Sequence, residues 1–478
     1  MMACLHKPML QENPIRMHLG KNNCVWKKNN QDHNLKAYNN CRFRSGVTIN
    51  MKMIKNGFKY ILVFIVAVIL LTGILVLAAL IPQSAIRQNV QESAEYLCEG
   101  ELFGRVIEDA KGSEIDRYAD SILLAIAYQY DSSHPLRSVM WSSYYYTAYR
   151  NENENLLYAV TEKEEPNQQY LRYWHGSNSI VRPLLLCFSI KEIYWLNGIV
   201  LAALSLLLLA ILIKNKAYVP AIGVLAGLIL TASWFVPLSL EYTWTYLLML
   251  LMSIVGVKLA LREREKYMGV LFLIGGIVTN YMDFLTTETL TLTVPLLLVT
   301  WIYIQKKTDV SGKQMIKNMG KAVLAWGIGY VGMWIMKWLL ASIVLQENVM
   351  PYVSEHIGER LDGDIGIGTF QYISGALLQN LSCLFPFGYG VPGAFAGMFL
   401  LLMALYIGYV YHKKQICKWH ILLYMIPGLL PYARYLVLHN HSYLHCFFTY
   451  RAQFATILAI VLILEEIVDR RWFADAGK

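Results

Sequence analysis

The sequence predicts an all-α integral membrane protein of about ten transmembrane helices, with a large first extracytoplasmic loop that carries amphipathic juxtamembrane helices. Three observations lead there. Of 478 residues, 56% are hydrophobic and only 16% charged, against about 25% charged in an ordinary soluble domain, and mean hydropathy is +0.38. Apolar stretches near the roughly 20 residues that a bilayer-crossing helix needs recur along the chain. Lys and Arg gather in every second short connection. Composition therefore excludes a secreted disulfide scaffold, a disordered chain and a cytosolic enzyme. The eight cysteines, at 4, 24, 41, 98, 187, 383, 417 and 446, show no CxxC pair or regular spacing, which gives no case for a zinc site or disulfide framework.

Residues 1–50 are polar, Asn- and Lys-rich and without an apolar period, and read as a disordered cytoplasmic extension or, given Met51 and Met53, as translated upstream sequence. A polytopic domain is expected over 51–470. Its first span, 60–81, follows Lys52, Lys55 and Lys59 and has no small-residue cleavage site before Pro82, so it is retained as an anchor. The further spans are 193–213, 218–238, 243–261, 267–283, 288–304, 321–345, 393–411, 420–438 and 451–468, with 471–478 as a cytoplasmic tail. With the N-terminus inside, the inner short connections hold thirteen Lys and Arg, from Lys214 to Lys418, and the outer ones only Arg360 and Arg451. Positive charge marks the inner side, so both termini are expected in the cytoplasm. The net charge of +9 then belongs to flanks facing anionic lipid and does not imply nucleic-acid binding. The absence of a visible internal repeat disfavours transporters built from duplicated halves.

The first outer segment, 82–192, is far longer than a passive connection of about 4–6 residues, and must be a small domain or lid. Within it Ile115, Ala119, Ile122, Leu123, Ile126 and Ala127 recur at helical spacing, which predicts an amphipathic helix over 115–130 lying on the membrane. Asp116 and Asp120, four apart, share one face and either converge on a ligand or proton or form a solvated surface. The run Tyr170-Leu171-Arg172-Tyr173-Trp174-His175-Gly176, followed by Arg182-Pro183, suits a water–lipid boundary site. There Arg holds phosphate, aromatics stack on sugar and His moves a proton; an interfacial aromatic belt is the alternative. Asp283, in Asn280–Thr287, is either a cap and turn residue or an acceptor-binding group.

The densest cluster runs from Arg434 through His439, His441 and His445 to Arg451. Ionisable groups near membrane spans are functional candidates because they are costly to hold there. His441 and His445 share a helix face, yet no HExxH glutamate or third ligand accompanies them, so no metal site is assigned. Lys337, deep in the seventh span, is expected to snorkel from a tilted helix rather than line a polar cleft. The charge-derived topology puts Asp116/Asp120, Arg172/His175, Asp283 and the Arg434–Arg451 cluster on one outer face, although they come from four separate stretches.

This arrangement resembles the GT-C superfamily of polytopic glycosyltransferases, which take sugars from polyprenyl-phosphate carriers. The likeness rests on the long first outer loop, an acidic residue within it, and Arg and His groups near the outer ends of late helices. More narrowly, RYWHG at 172–176, YMDFLTT at 281–287 and NHSYLHCFFTYR at 440–451 are similar to segments of uncharacterised bacterial GT-C-like membrane proteins. Many members carry an acidic pair soon after the first helix, whereas here Glu92, Glu95, Glu99 and Glu101 intervene. The resemblance implies a glycosyltransferase in the bacterial plasma membrane, moving a sugar from a polyprenyl-phosphate donor to an extracytoplasmic glycan, lipid or protein acceptor. Asp120 or Asp116 would be the general base. Arg434, Arg451, Arg182, His441 and His445 would bind the donor phosphate, and Arg172, Trp174, His175 and Asp283 the sugar or acceptor. The resemblance assigns no certain cofactor, and a divalent metal is optional in the superfamily. The competing expectations are a lipid-linked sugar transporter or flippase and a polysaccharide polymerase or ligase.

Overall fold

A computed structural model describes residues 57–283, 285–306, 311–362, 368–385, 391–413 and 415–469. The expected N-terminal extension, 1–50, and tail, 471–478, lie outside them. The described residues are helical with no strand, and five helices are long and apolar enough to cross a membrane. These are α1 (Gly57–Ala79), α7 (Ile190–Lys214), α9 (Leu240–Leu261), α12 (Gly312–Leu345) and the continuous run Cys446–Ile467. Shorter apolar helices include α8 (Tyr218–Leu230) and α11 (Leu290–Lys306). Their outward faces are greasy, as lipid contact requires: Ile69, Leu70 and Leu77 on α1, and Trp195, Ile199 and Leu206 on α7, are exposed. Such faces are compatible with a lipid surround.

The bundle packs around α9 and α11, with α16 (Lys418–Val437) and α19 (Phe454–Ile467) against them; α10 (Met268–Met282) lies along α12. Close approach of α10 and α12 depends on glycine: a Cβ on Gly276 would sit 2.0 Å from the Trp326 carbonyl oxygen, and one on Gly329 2.3 Å from that of Leu273. Small residues let helix backbones meet where lipid supplies no hydrophobic drive. Buried hydroxyls join the helices, Thr245 to Thr287 at 2.8 Å and Thr279 to Thr291 at 2.7 Å.

The segment after α1 is helical and packs into the same unit as the bundle: α2 (Gln83–Cys98), α3 (Arg117–Tyr128), α4 (Pro135–Trp141), α5 (Glu152–Glu162) and α6 (Asn178–Leu184). Local chemistry starts its helices. Asp116 accepts from the Ala119 N–H at 2.8 Å to cap α3, and Asn151 with Glu154 forms a capping box on α5. The helix expected to lie on the membrane is α3, and it does not. From Asp120 to Tyr128 every residue is buried, because α2, α5, α6 and α9 pack around it and cover its polar face as well as its apolar one.

Lys337 also departs from expectation. It is fully buried and donates to the carbonyls of Val139 and Met140 at 3.0 and 3.1 Å, which closes the C-terminal end of α4. Its ammonium lies 5.7 Å from the Trp174 ring centre. Snorkelling loses because carbonyl acceptors and an aromatic face are already within reach.

Candidate functional site

A cavity of about 260 Å³ opens where four stretches of chain meet. The start of α3 supplies Asp116, the 170–175 turn supplies Tyr170, Tyr173 and His175, the first turn of α9 supplies Glu241, and the α17 (His439–Leu444) and α18 (Cys446–Thr449) region supplies His441, His445 and Phe448. Phe103 completes the wall. It stacks on Tyr118 with centroids 5.7 Å apart and meets Phe447 edge-on at 5.7 Å.

Asp116 and Glu241 both line the cavity, with their carboxyls near enough to interact. Two buried carboxylates side by side repel each other, which favours one proton shared by the pair. Burial pushes Asp116 up to about 6, opposed by the Ala119 N–H and Glu241 bonds. Glu241 is held at the cavity by position, as the second residue of α9, and no N–H or O–H of another residue reaches its Oε2. The imidazoles of His441 and His445 lie 4.8 Å apart, and His445 stacks on Phe448 at 5.2 Å. A carboxyl pair, two imidazoles and an aromatic wall can take a proton from a hydroxyl and hydrogen-bond an anion in one small space. Among the described residues no three His, Cys, Asp or Glu side chains gather to hold a metal ion.

Asp120 has a different position. It is fully buried and accepts from the Tyr194 hydroxyl, from Ser239 Oγ at 3.1 Å and from the Leu240 N–H at 2.9 Å. It thereby caps α9, and burial pushes it up to about 7. The two aspartates do share a face, and both turn to the N-terminus of α9, but only Asp116 reaches the cavity.

The arginines divide similarly. Arg182 is buried and donates to the carbonyls of Ala127, Tyr128, Tyr130 and Ile81, so it ties α3 to the end of α1; burial lowers it to about 10. Arg434 pairs with Glu288 at 2.6 Å and donates to the Leu285 carbonyl at 2.6 Å. Arg172 stacks over Tyr170 and Tyr173 at 4.1 and 5.3 Å, behind the cavity wall. Arg451 is 1% exposed, lies between the rings of Tyr242 and Tyr450 and donates to the carbonyls of Phe447 and Gly112 at 3.0 and 3.2 Å. It forms no ion pair among the described residues, which leaves a buried positive charge directly behind Phe447.

In the RYWHG run, Trp174 donates to the Met333 carbonyl at 2.8 Å and anchors the turn on α12. His175 takes a positive φ of 52°, and Gly176 passes so close to Tyr281 that a Cβ would lie 2.4 Å from it. Burial lowers His175 to about 3, so its imidazole is neutral; Nε2 lies 2.9 Å from the Tyr170 carbonyl. Asp283 is a turn residue: it accepts from the N–H groups of Leu285 and Thr286 and from the Thr286 hydroxyl. The cavity lining thus gathers Asp116, His175, His441 and His445 and does not include Asp120, Arg172, Trp174, Arg182, Asp283, Arg434 or Arg451. Sequence reading missed Glu241, Phe103 and Tyr118. No family model, no curated protein and no solved structure matches the chain.

Proposed function

We propose that this chain is a GT-C-like membrane glycosyltransferase that moves a sugar from a polyprenyl-phosphate donor to an extracytoplasmic acceptor. The observation that carries the reading is the Asp116–Glu241 carboxyl pair facing His441 and His445 across an aromatic cavity. In this reading ten helices cross the membrane, both termini are cytoplasmic, and the cavity faces outward, in keeping with the Lys and Arg distribution.

Asp116 takes the acceptor hydroxyl proton as the oxygen attacks the anomeric carbon; the bond from that carbon to the phosphate oxygen breaks, and polyprenyl phosphate leaves. A carboxyl raised to about 6 is ionised near neutral pH yet basic enough to help, which is the balance a general base needs. Glu241 steadies the ionised form by donating its proton to Asp116. His441 and His445 hydrogen-bond the phosphate as its charge develops, with Arg451 behind them adding positive potential. Phe103, Tyr118, Tyr170 and Tyr173 offer apolar faces to the sugar. The volume is a little under the about 300–1,000 Å³ of typical ligand clefts, which suits one monosaccharide unit. A divalent ion is optional in this scheme and no step depends on it.

The test uses the purified chain in nanodiscs with polyprenyl-phosphate-linked sugars and candidate acceptors, reading release of lipid phosphate. Release that requires an acceptor and is lost in Asp116→Asn supports the transferase. Binding with no release under any acceptor moves the assignment to a lipid-linked sugar transporter or flippase, and processive chain growth to a polymerase or ligase.

A further inference from the structure

Two cysteines that look unrelated in sequence meet beside the cavity. Cys383 caps the C-terminal end of α14 (Thr369–Ser382) and Cys446 opens α18. Both are buried free thiols in one small cluster with Leu384 and Tyr450. Independent polar contacts fix the approach of the two segments. Asn380, one turn before Cys383, donates to the Ser442 carbonyl at 2.8 Å and accepts from the Thr449 hydroxyl at 2.7 Å. Gln453 donates to the Asn380 carbonyl at 2.7 Å. The two segments, and with them Cys383 and Cys446, are therefore brought side by side by a frame that does not depend on the cysteines.

We infer that Cys383 and Cys446 are a covalent modification site, joined as a disulfide that ties α14 to the wall of the cavity. The oxidant class is a disulfide, on a small molecule or a dithiol oxidoreductase. One cysteine loses its proton and its thiolate attacks the oxidant's disulfide. The first oxidant thiolate leaves and takes up a proton. The second cysteine then displaces the other oxidant thiol from the mixed disulfide. Two protein thiols are oxidised to one disulfide and one oxidant disulfide is reduced to two thiols. Exchange of this kind needs an attacking thiolate and an oxidising compartment. The inference thus uses the outward orientation of the cavity face adopted under Proposed function, but not the transferase chemistry.

The consequence for the site is mechanical. Cys446 lies next to His445 and two residues before Phe448, both of which line the cavity, so the link fixes the backbone that carries them. It also closes a long loop, which constrains the unfolded chain.

The full chain is expressed in a bacterial host and its membranes are isolated without reductant. They are denatured in the presence of N-ethylmaleimide, and the peptides are read by mass spectrometry. The expected result is a Cys383–Cys446 linked peptide, with Cys98, Cys187 and Cys417 recovered as maleimide adducts, and a melting temperature that falls on reduction. In Cys383→Ser, Cys446 becomes maleimide-reactive and reduction no longer moves the melting temperature. Recovery of both Cys383 and Cys446 as maleimide adducts from unreduced wild-type membranes overturns the inference. A chain that carries the link but transfers no sugar would refute the transferase and leave the link standing.

Discussion

Replacing Asp120 by Ala separates a capping carboxylate from a catalytic one. In the folded chain Asp120 receives the Leu240 N–H at 2.9 Å, Ser239 Oγ at 3.1 Å and the Tyr194 hydroxyl. Ser239 Oγ keeps a partner after truncation, because it also accepts from the Glu241 N–H. The Leu240 N–H and the Tyr194 hydroxyl lose theirs in a fully buried place. A buried group left without a partner costs about 1–3 kcal/mol, so Asp120→Ala should destabilise the chain by about 2–6 kcal/mol. The assay is thermal unfolding of the purified protein in detergent, followed by tryptophan fluorescence. Asp116→Asn is the matched comparison, since Asn caps a helix as well as Asp does and α3 should keep its start. The reasoning is refuted if Asp120→Ala melts with wild type while Asp116→Asn unfolds early.

The acid limb of the transfer rate should lie near pH 6, set by Asp116, with activity rising as its carboxyl ionises. Glu241→Ala removes a hydrogen bond that holds Asp116 down, so the limb should move to higher pH, whereas Glu241→Gln, which can still donate, should keep it; pH–rate profiles of the three proteins decide. Asp120 binds its proton more tightly when folded, up to about 7, than when unfolded, near 3.8. Stability should therefore be greatest below the unfolded value and fall as pH rises through about 7, a slope that Asp120→Asn should lessen in melts from pH 4 to 8. Arg434→Ala leaves Glu288 buried beside Asp283 without its cation and should cost about 3–5 kcal/mol; Arg434→Met with Glu288→Met should recover most of it, read by the same melts. Gly276→Ala drives a Cβ into the Trp326 carbonyl and should cost about 1–3 kcal/mol, while Gly327→Ala, with nothing within 4 Å, should not lower stability.

Much of the architecture was legible because span length and apolarity are local properties. Each apolar stretch from 60–81 to 451–468 coincides with helical structure, even where a proline lies inside, as Pro427 and Pro431 do in α16. What covers a helix is not local. The periodicity of 115–130 located α3 but described one face, and the packing of α2, α5, α6 and α9 on the others made a buried helix of an expected surface one. Spacing likewise put Asp116 and Asp120 on one face without ranking them; their difference lies in α9, whose N-terminus gives its N–H to Asp120 and its second residue to Asp116. Glu241 itself resembles an ordinary acidic residue in a first helical turn, where the dipole favours one, and nothing nearby in sequence marks its partner. Lys337 was misplaced for the same reason: its acceptors are about two hundred residues away, at Val139 and Met140.

The most direct measurement is a cryo-EM map of the Asp116→Asn protein in nanodiscs, saturated with a polyprenyl-phosphate-linked monosaccharide. The account predicts sugar density in the aromatic cavity, within hydrogen-bonding distance of Glu241, with the phosphate against His441 and His445. Density for that lipid elsewhere, with the cavity unchanged from the apo protein, contradicts it.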